Sequence, residues 1–158
     1  MLKTIGMILI LICSVLYGKA LSGRAASFLK TNEALLAFVM YISTSIKTAR
    51  IPIPTIYDTF TNDELEDIGF CRAIRENGLY SALADIRNNV SKESYDAMMY
   101  LCKNLGGIDA KSQEDICSYT EARLRDEISR IKKDMNDKKK MYRLLPILAG
   151  LSAIILLI

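Results

Sequence analysis

The sequence contains no histidine. That removes the Ser-His-Asp and Cys-His arrangements of nucleophilic catalysis and the His-Glu-x-x-His metal site. It also denies zinc its usual clustered Cys and His ligands. The four cysteines, Cys13, Cys71, Cys102 and Cys117, are widely spaced and form no Cys-x-x-Cys pair. They read as free, buried thiols of a reducing compartment. There is no glycine-rich phosphate loop. Strand alternation, internal repeats and low-complexity linkers are missing as well. A net charge of +3 is too small to argue for nucleic acid, and no nucleic-acid partner is expected. These absences predict neither cofactor nor metal, and no enzymatic activity.

Charge is missing in two places that matter more. Residues 4–18 carry none, and neither do residues 144–158. Fifteen residues of helix rise roughly 22 Å, against a hydrocarbon core of about 30 Å. The stems of Lys3, Lys19 and Arg143 can reach the headgroups while their backbone stays inside. Ala20 and Leu21 lengthen the first run. Met141 and Tyr142 lengthen the second, and tyrosine suits an interface. Both segments then approach about 18 residues, near the lower limit for spanning.

The expected division is a transmembrane helix at 1–22, a cytoplasmic helical bundle at 23–140 and a second transmembrane helix at 141–158. A competing reading makes the first run a cleaved signal, with Lys3 as its charged region and Ile5–Leu16 as its apolar region. Against it, no Ala-x-Ala site follows, and Lys19 stands where cleavage would fall. The basic residues Lys19, Arg24, Lys138, Lys139, Lys140 and Arg143 flank the runs on their inner sides. The outer side holds only Lys3 and the amino terminus. By the bias of Lys and Arg toward the cytoplasm, the middle faces the cytoplasm.

The middle reads as all-α. Leu35, Phe38, Val39, Ile42 and Ile46 recur at helical spacing. No proline or glycine interrupts 24–50, so the first anchor is expected to continue as one long helix until Pro52 and Pro54 break it. A short helix is expected around Thr55–Phe60. Thr61 or Asn62 caps the next, in which Leu65, Ile68, Cys71 and Ile74 continue one pattern. Asn77-Gly78 reads as a turn. Leu79, Leu83, Ile86 and Val90 form another apolar face. Ser91 caps a helix that runs through Met98 toward Leu105 and ends at Gly106-Gly107. Asp109 or Ser112 caps the last helix, with Ser112-x-x-Asp115 resembling a capping box. Cys117, Leu124, Ile128, Ile131, Met135 and Tyr142 keep heptad-like spacing into the second anchor. The first and last helices are expected to be antiparallel, because both enter one bilayer.

Charge is unevenly placed within this middle. Asp58–Asp67 holds five acids and no base, whereas Arg123–Arg143 holds nine bases against four acids. The basic stretch suits anionic headgroups and topology. Membrane attraction does not account for the acids, so Asp63, Glu64, Glu66 and Asp67 are the candidates for docking a protein partner. At these spacings the carboxylates also suit the positive end of a helix better than acid–base catalysis.

Four stretches stand in order along the chain. Met1-Leu2-Lys3 precedes an expected apolar anchor. Pro52-Ile53-Pro54 follows the long first helix. Leu105-Gly106-Gly107-Ile108-Asp109 precedes Gln113. Lys140-Met141-Tyr142-Arg143-Leu144 opens a glycine-containing apolar tail. Taken together they resemble the stage III sporulation protein AB family of endospore-forming bacteria. The similarity covers essentially the whole chain, with departures at Ile51 and Lys111. It implies an antiparallel helical bundle similar to the cytoplasmic domains of secretion-system platform proteins (the F proteins of type II secretion and type IV pilus machines). It further implies a place in the mother-cell membrane around the forespore. There the domain would dock the secretion-type ATPase of the sporulation channel complex, beside other membrane channel components and the lipid bilayer. Asp109 and Gln113 join the four acids as expected partner-binding residues on this resemblance. The alternatives are a membrane scaffold without ATPase coupling and an exported helical protein with a cleaved signal.

Overall fold

The structure is a computed structural model. It describes the backbone of residues 2–49, 51–106 and 109–157, and the side chains of 23–48, 51–106, 109 and 111–138. The described residues form α-helices and one short 3-10 turn, with no strand: α1 (Leu2–Ala49), α2 (Ile53–Thr59), α3 (Asp63–Asp67), α4 (Phe70–Asp85), the turn Arg87–Asn89, α5 (Lys92–Asn104) and α6 (Ala110–Leu157). The chain divides into two compact units. One combines 1–27 with 131–158, and the other is 28–130. The first is built from the outer parts of α1 and α6.

Unit 28–130 is a helical bundle around one core. The apolar stripe of α1 supplies Leu35, Phe38, Val39 and Ile42, all with no exposed surface. Phe38 sits at the centre. Its ring meets Phe60 edge-on at 4.9 Å and Phe70 at 5.4 Å, with Tyr57 at 6.2 Å. Edge-to-face pairs of this kind add to the area each ring buries. One residue of α1 thereby gathers α2, the link after it and the start of α4. Leu65, Ile74, Leu83, Met98, Leu101, Cys117 and Leu124 complete the core from the other helices. Within the unit α1 and α6 run antiparallel, as expected. Arg125 Nη2 lies 3.4 Å from Met40 Sδ, and Lys47, one turn-pair further along α1, stands beside Cys117.

Local chemistry sets the breaks. α1 stops at Ala49 before the two prolines. Pro52 occupies the N-cap of α2 and Pro54 its first turn. Proline is tolerated there because those N–H groups have no intrahelical acceptor. The short helix therefore begins at Ile53, two residues ahead of the expected Thr55. The continuous pattern from Leu65 to Ile74 does not make one helix. Gly69 adopts φ 78°, a left-handed conformation, and separates five-residue α3 from α4. Asn77-Gly78 turns as expected, but helix resumes at once. Gly78 (φ 81°, ψ 172°) is non-helical and divides α4 into two helical segments, as the expected turn requires. Asp109 caps α6, so Ser112 lies inside the helix and the expected Ser112-x-x-Asp115 box is not formed.

Among the described residues no helix is long and apolar enough to cross a membrane. The two expected transmembrane runs, 4–18 and 144–158, lie outside the residues whose side chains are described.

Candidate docking site

The acidic helix α3 is held by its cap and by one buried anchor. Asn62 is extended, and its Oδ1 accepts from the Leu65 N–H at 3.2 Å. Leu65 has no exposed surface and pins the helix to the core. With that turn fixed, Asp63, Glu64 and Glu66 stand at its positive end, where the helix dipole favours carboxylates. Their surroundings differ. The Thr31 hydroxyl of α1 donates to Glu64 at 3.3 Å. Glu66 pairs with Arg75 of α4 at 3.1 Å, and the same guanidinium donates to the Phe60 carbonyl at 3.0 Å. Asp63 and Asp67 are exposed. Glu64 and Glu66 therefore make contacts within the domain, and Asp63, Asp67 and Glu66 are open to solvent.

A shallow, open groove of about 380 Å³ runs beside them, lined by Lys30, Glu33, Ala34 and Ala37 of α1 and by Asn62, Asp63 and Glu64. The two alanines keep its floor low. Three carboxylates face one ammonium along its walls. The α1 side of this groove was not legible as a site in the sequence. The available signal was Ala34 and Ala37, small residues three apart beside an apolar stripe, next to Glu33.

Asp109 and Gln113 are elsewhere. Asp109 caps α6. Its carboxylate accepts from the Ser112 hydroxyl at 2.7 Å and from the Ser112 N–H at 3.3 Å, and its carbonyl from the Gln113 N–H at 3.2 Å. The Ser112 hydroxyl, with that N–H, holds the Asp109 carboxyl below the usual aspartate range. Gly106, three residues before it, lies against Ile53, beyond the end of α1. Thr31, which binds Glu64, is 18 residues from Ala49 along the same helix. That is roughly 27 Å of rise. The expected partner-binding residues thus divide into two sets toward opposite ends of the domain. Among the flanking basic residues, Arg24 and Lys138 are exposed. Lys19, Lys139, Lys140 and Arg143 lie outside the described side chains.

The cysteines offer little reactivity. Cys71, Cys102 and Cys117 are free. Burial pushes all three thiols up, Cys117 to about 11, so the reactive thiolate is scarce near neutrality. Burial, followed by the nearby Cys102 and Cys117, also raises Tyr57 to about 12. Among the described residues no three acidic or cysteine side chains gather into a metal-binding group.

Fold and site together define an all-helical protein with an acidic, grooved surface between α1 and α3. The family model for stage III sporulation protein AB matches residues 3–158, and the chain belongs to that family. No curated protein and no solved structure matches the chain.

Proposed function

We propose that the protein is a non-enzymatic membrane platform component of the channel complex between mother cell and forespore, and that its helical domain docks the complex's secretion-type ATPase. The observation that carries this reading is the acidic groove of α3 and α1, presented by a member of this sporulation family. Its exposed acids suit a basic surface on the partner.

The remaining support comes from the sequence. The uncharged runs 4–18 and 144–158 suit two membrane anchors, and the inner basic flanks suit a cytoplasmic domain. The likeness to secretion-system platform domains is what the resemblance to the sporulation family implies. In this reading ATP chemistry belongs to the partner. The chain receives its conformational change and passes it to the membrane parts through α1 and α6.

The test is a combined Asp63→Asn, Glu64→Gln and Asp67→Asn substitution, leaving Glu66 to hold Arg75. The variant should keep its helical circular dichroism and lose about tenfold or more in recovery with the ATPase from sporulating cells, the scale of one or two lost interface contacts. Undiminished recovery would remove the groove from the account.

A further inference from the structure

The first turn of α5 touches both long helices at one level of the domain. Its cap, Ser91, accepts from the Ser94 N–H at 3.1 Å. The Ser91 N–H and hydroxyl both donate to Asn32 Oδ1 of α1, at 3.4 and 3.5 Å. The Asn32 amide in turn donates to the Phe28 carbonyl at 2.6 Å. Two residues past the cap, Glu93 accepts from Arg130 of α6 at 3.2 Å, and Arg130 also binds the buried Glu127 at 2.7 Å. Phe28 and Arg130 are the first and last residues of the compact domain. One turn of α5 therefore grips α1 just after it enters the domain and α6 just before it leaves.

We propose that this turn is a releasable clamp. It fixes the position of α1 and α6 at the end where they leave the domain, and it opens while the apolar core stays packed. Four features make it the weak point. The two bonds from Ser91 to Asn32 are at the long end of hydrogen-bond geometry. The Ser94 hydroxyl, which has no exposed surface, has no hydrogen-bond partner among the described residues, so the closed state carries an uncompensated polar group. Glu93 and Arg130 are about half exposed, at 53% and 57%, and such ion pairs are weak and screened by salt. The chain before the cap is the 3-10 turn Arg87–Asn89, whose three residues are exposed, a short irregular link that can absorb a change in backbone angles while Val90 stays in the core. By contrast Leu35, Phe38, Leu83 and Met98 nearby are wholly buried, so local opening need not disturb them.

The clamp stands on the geometry of the domain alone. Its use in passing force to the membrane rests on the proposed function, and its test needs no ATPase. Hydrogen exchange would be followed in the full chain in detergent micelles, for wild type, Asn32→Ala and Arg130→Lys. Both acids are held by one guanidinium nitrogen, Nη2, and lysine keeps a cation beside Glu127 on a shorter side chain that extends less far toward Glu93. We expect peptides covering Ser91–Ala97 to exchange about tenfold faster in Asn32→Ala and about threefold faster in Arg130→Lys. Molar salt should reproduce the Arg130→Lys effect in wild type. Peptides covering Leu35–Ile42 and Leu79–Leu83 should change less than about twofold. Uniform acceleration across all peptides, or none at Ser91–Ala97 in either variant, overturns the clamp. An effect of Asn32→Ala alone overturns its two-sided form. Should Asn32→Ala fail to fold, Arg130→Lys and the salt series decide the question.

Discussion

Cys117 packs with no exposed surface on the inner side of α6, with Lys47 and Glu121 near it. Burial is the main reason its thiol is raised from 9.0 to about 11, with the Glu121 charge adding to the effect. The folded state thus keeps a proton that the unfolded chain gives up first. For a group raised on folding, the stability is fully present below the unfolded value and is lost as pH rises through the folded one. We expect denaturant midpoints of the reduced protein to fall between pH 9 and 11, and Cys117→Ala to flatten that part of the profile at the expense of a lower plateau. A profile equally steep in Cys117→Ala would assign the loss to other groups.

The same scale holds the residues that sequence reading passed over. Asn32 and Glu127 are polar side chains on otherwise apolar faces, at helical spacing from Leu35 and from Leu124. That placement was a signal of buried polar contact, but their partners were not legible. Ser91 is 59 residues from Asn32, and nothing local encodes so distant a contact. The four acids of α3 were legible because, with Asp58 before them, they make five carboxylates without a base. The groove beside them was not, since its other wall comes from α1, some 30 residues earlier.

At the scale of elements, glycines decide where helices turn. Gly78 sits at φ 81° and ψ 172°, a region that glycine alone occupies freely, with nothing within 4 Å of where a Cβ would stand. Gly78→Ala therefore meets no clash, only backbone strain. It should destabilise the domain by about 1–3 kcal/mol in a denaturant titration. A neutral or stabilising result would mean that α4 straightens without penalty and that the kink is not set by this residue.

Glycine also explains the main error of element reading. Ile68, Cys71 and Ile74 keep a spacing of three across the break at Gly69, because one left-handed residue redirects the chain without changing the residue count. Periodicity is blind to such a turn. The proline at position 54 misleads in the opposite sense. It reads as a breaker, yet it lies in the first turn of α2, where the missing N–H has no acceptor to lose. Caps were the most legible feature. Asn62, Ser91 and Asp109 each accept a backbone N–H three residues on, as their side chains dictate.

For the whole molecule, the arrangement is a compact helical domain at 28–130 whose first and last helices extend into a second unit formed by the two ends of the chain. Those ends contain the uncharged runs 4–18 and 144–158. If both runs are anchors and the inner basic flanks set topology, the domain stands in the mother-cell cytoplasm, within reach of a cytosolic ATPase. Every part of the proposed mechanism depends on that side of the membrane. The direct measurement is thiol accessibility at Tyr80→Cys, a site 65% exposed, in a chain whose native cysteines are replaced. In vegetative cells that carry the chain in their plasma membrane, a membrane-impermeant thiol reagent should label this cysteine only after lysis. Labelling in the intact cells would place the domain outside the cytoplasm and contradict ATPase docking altogether.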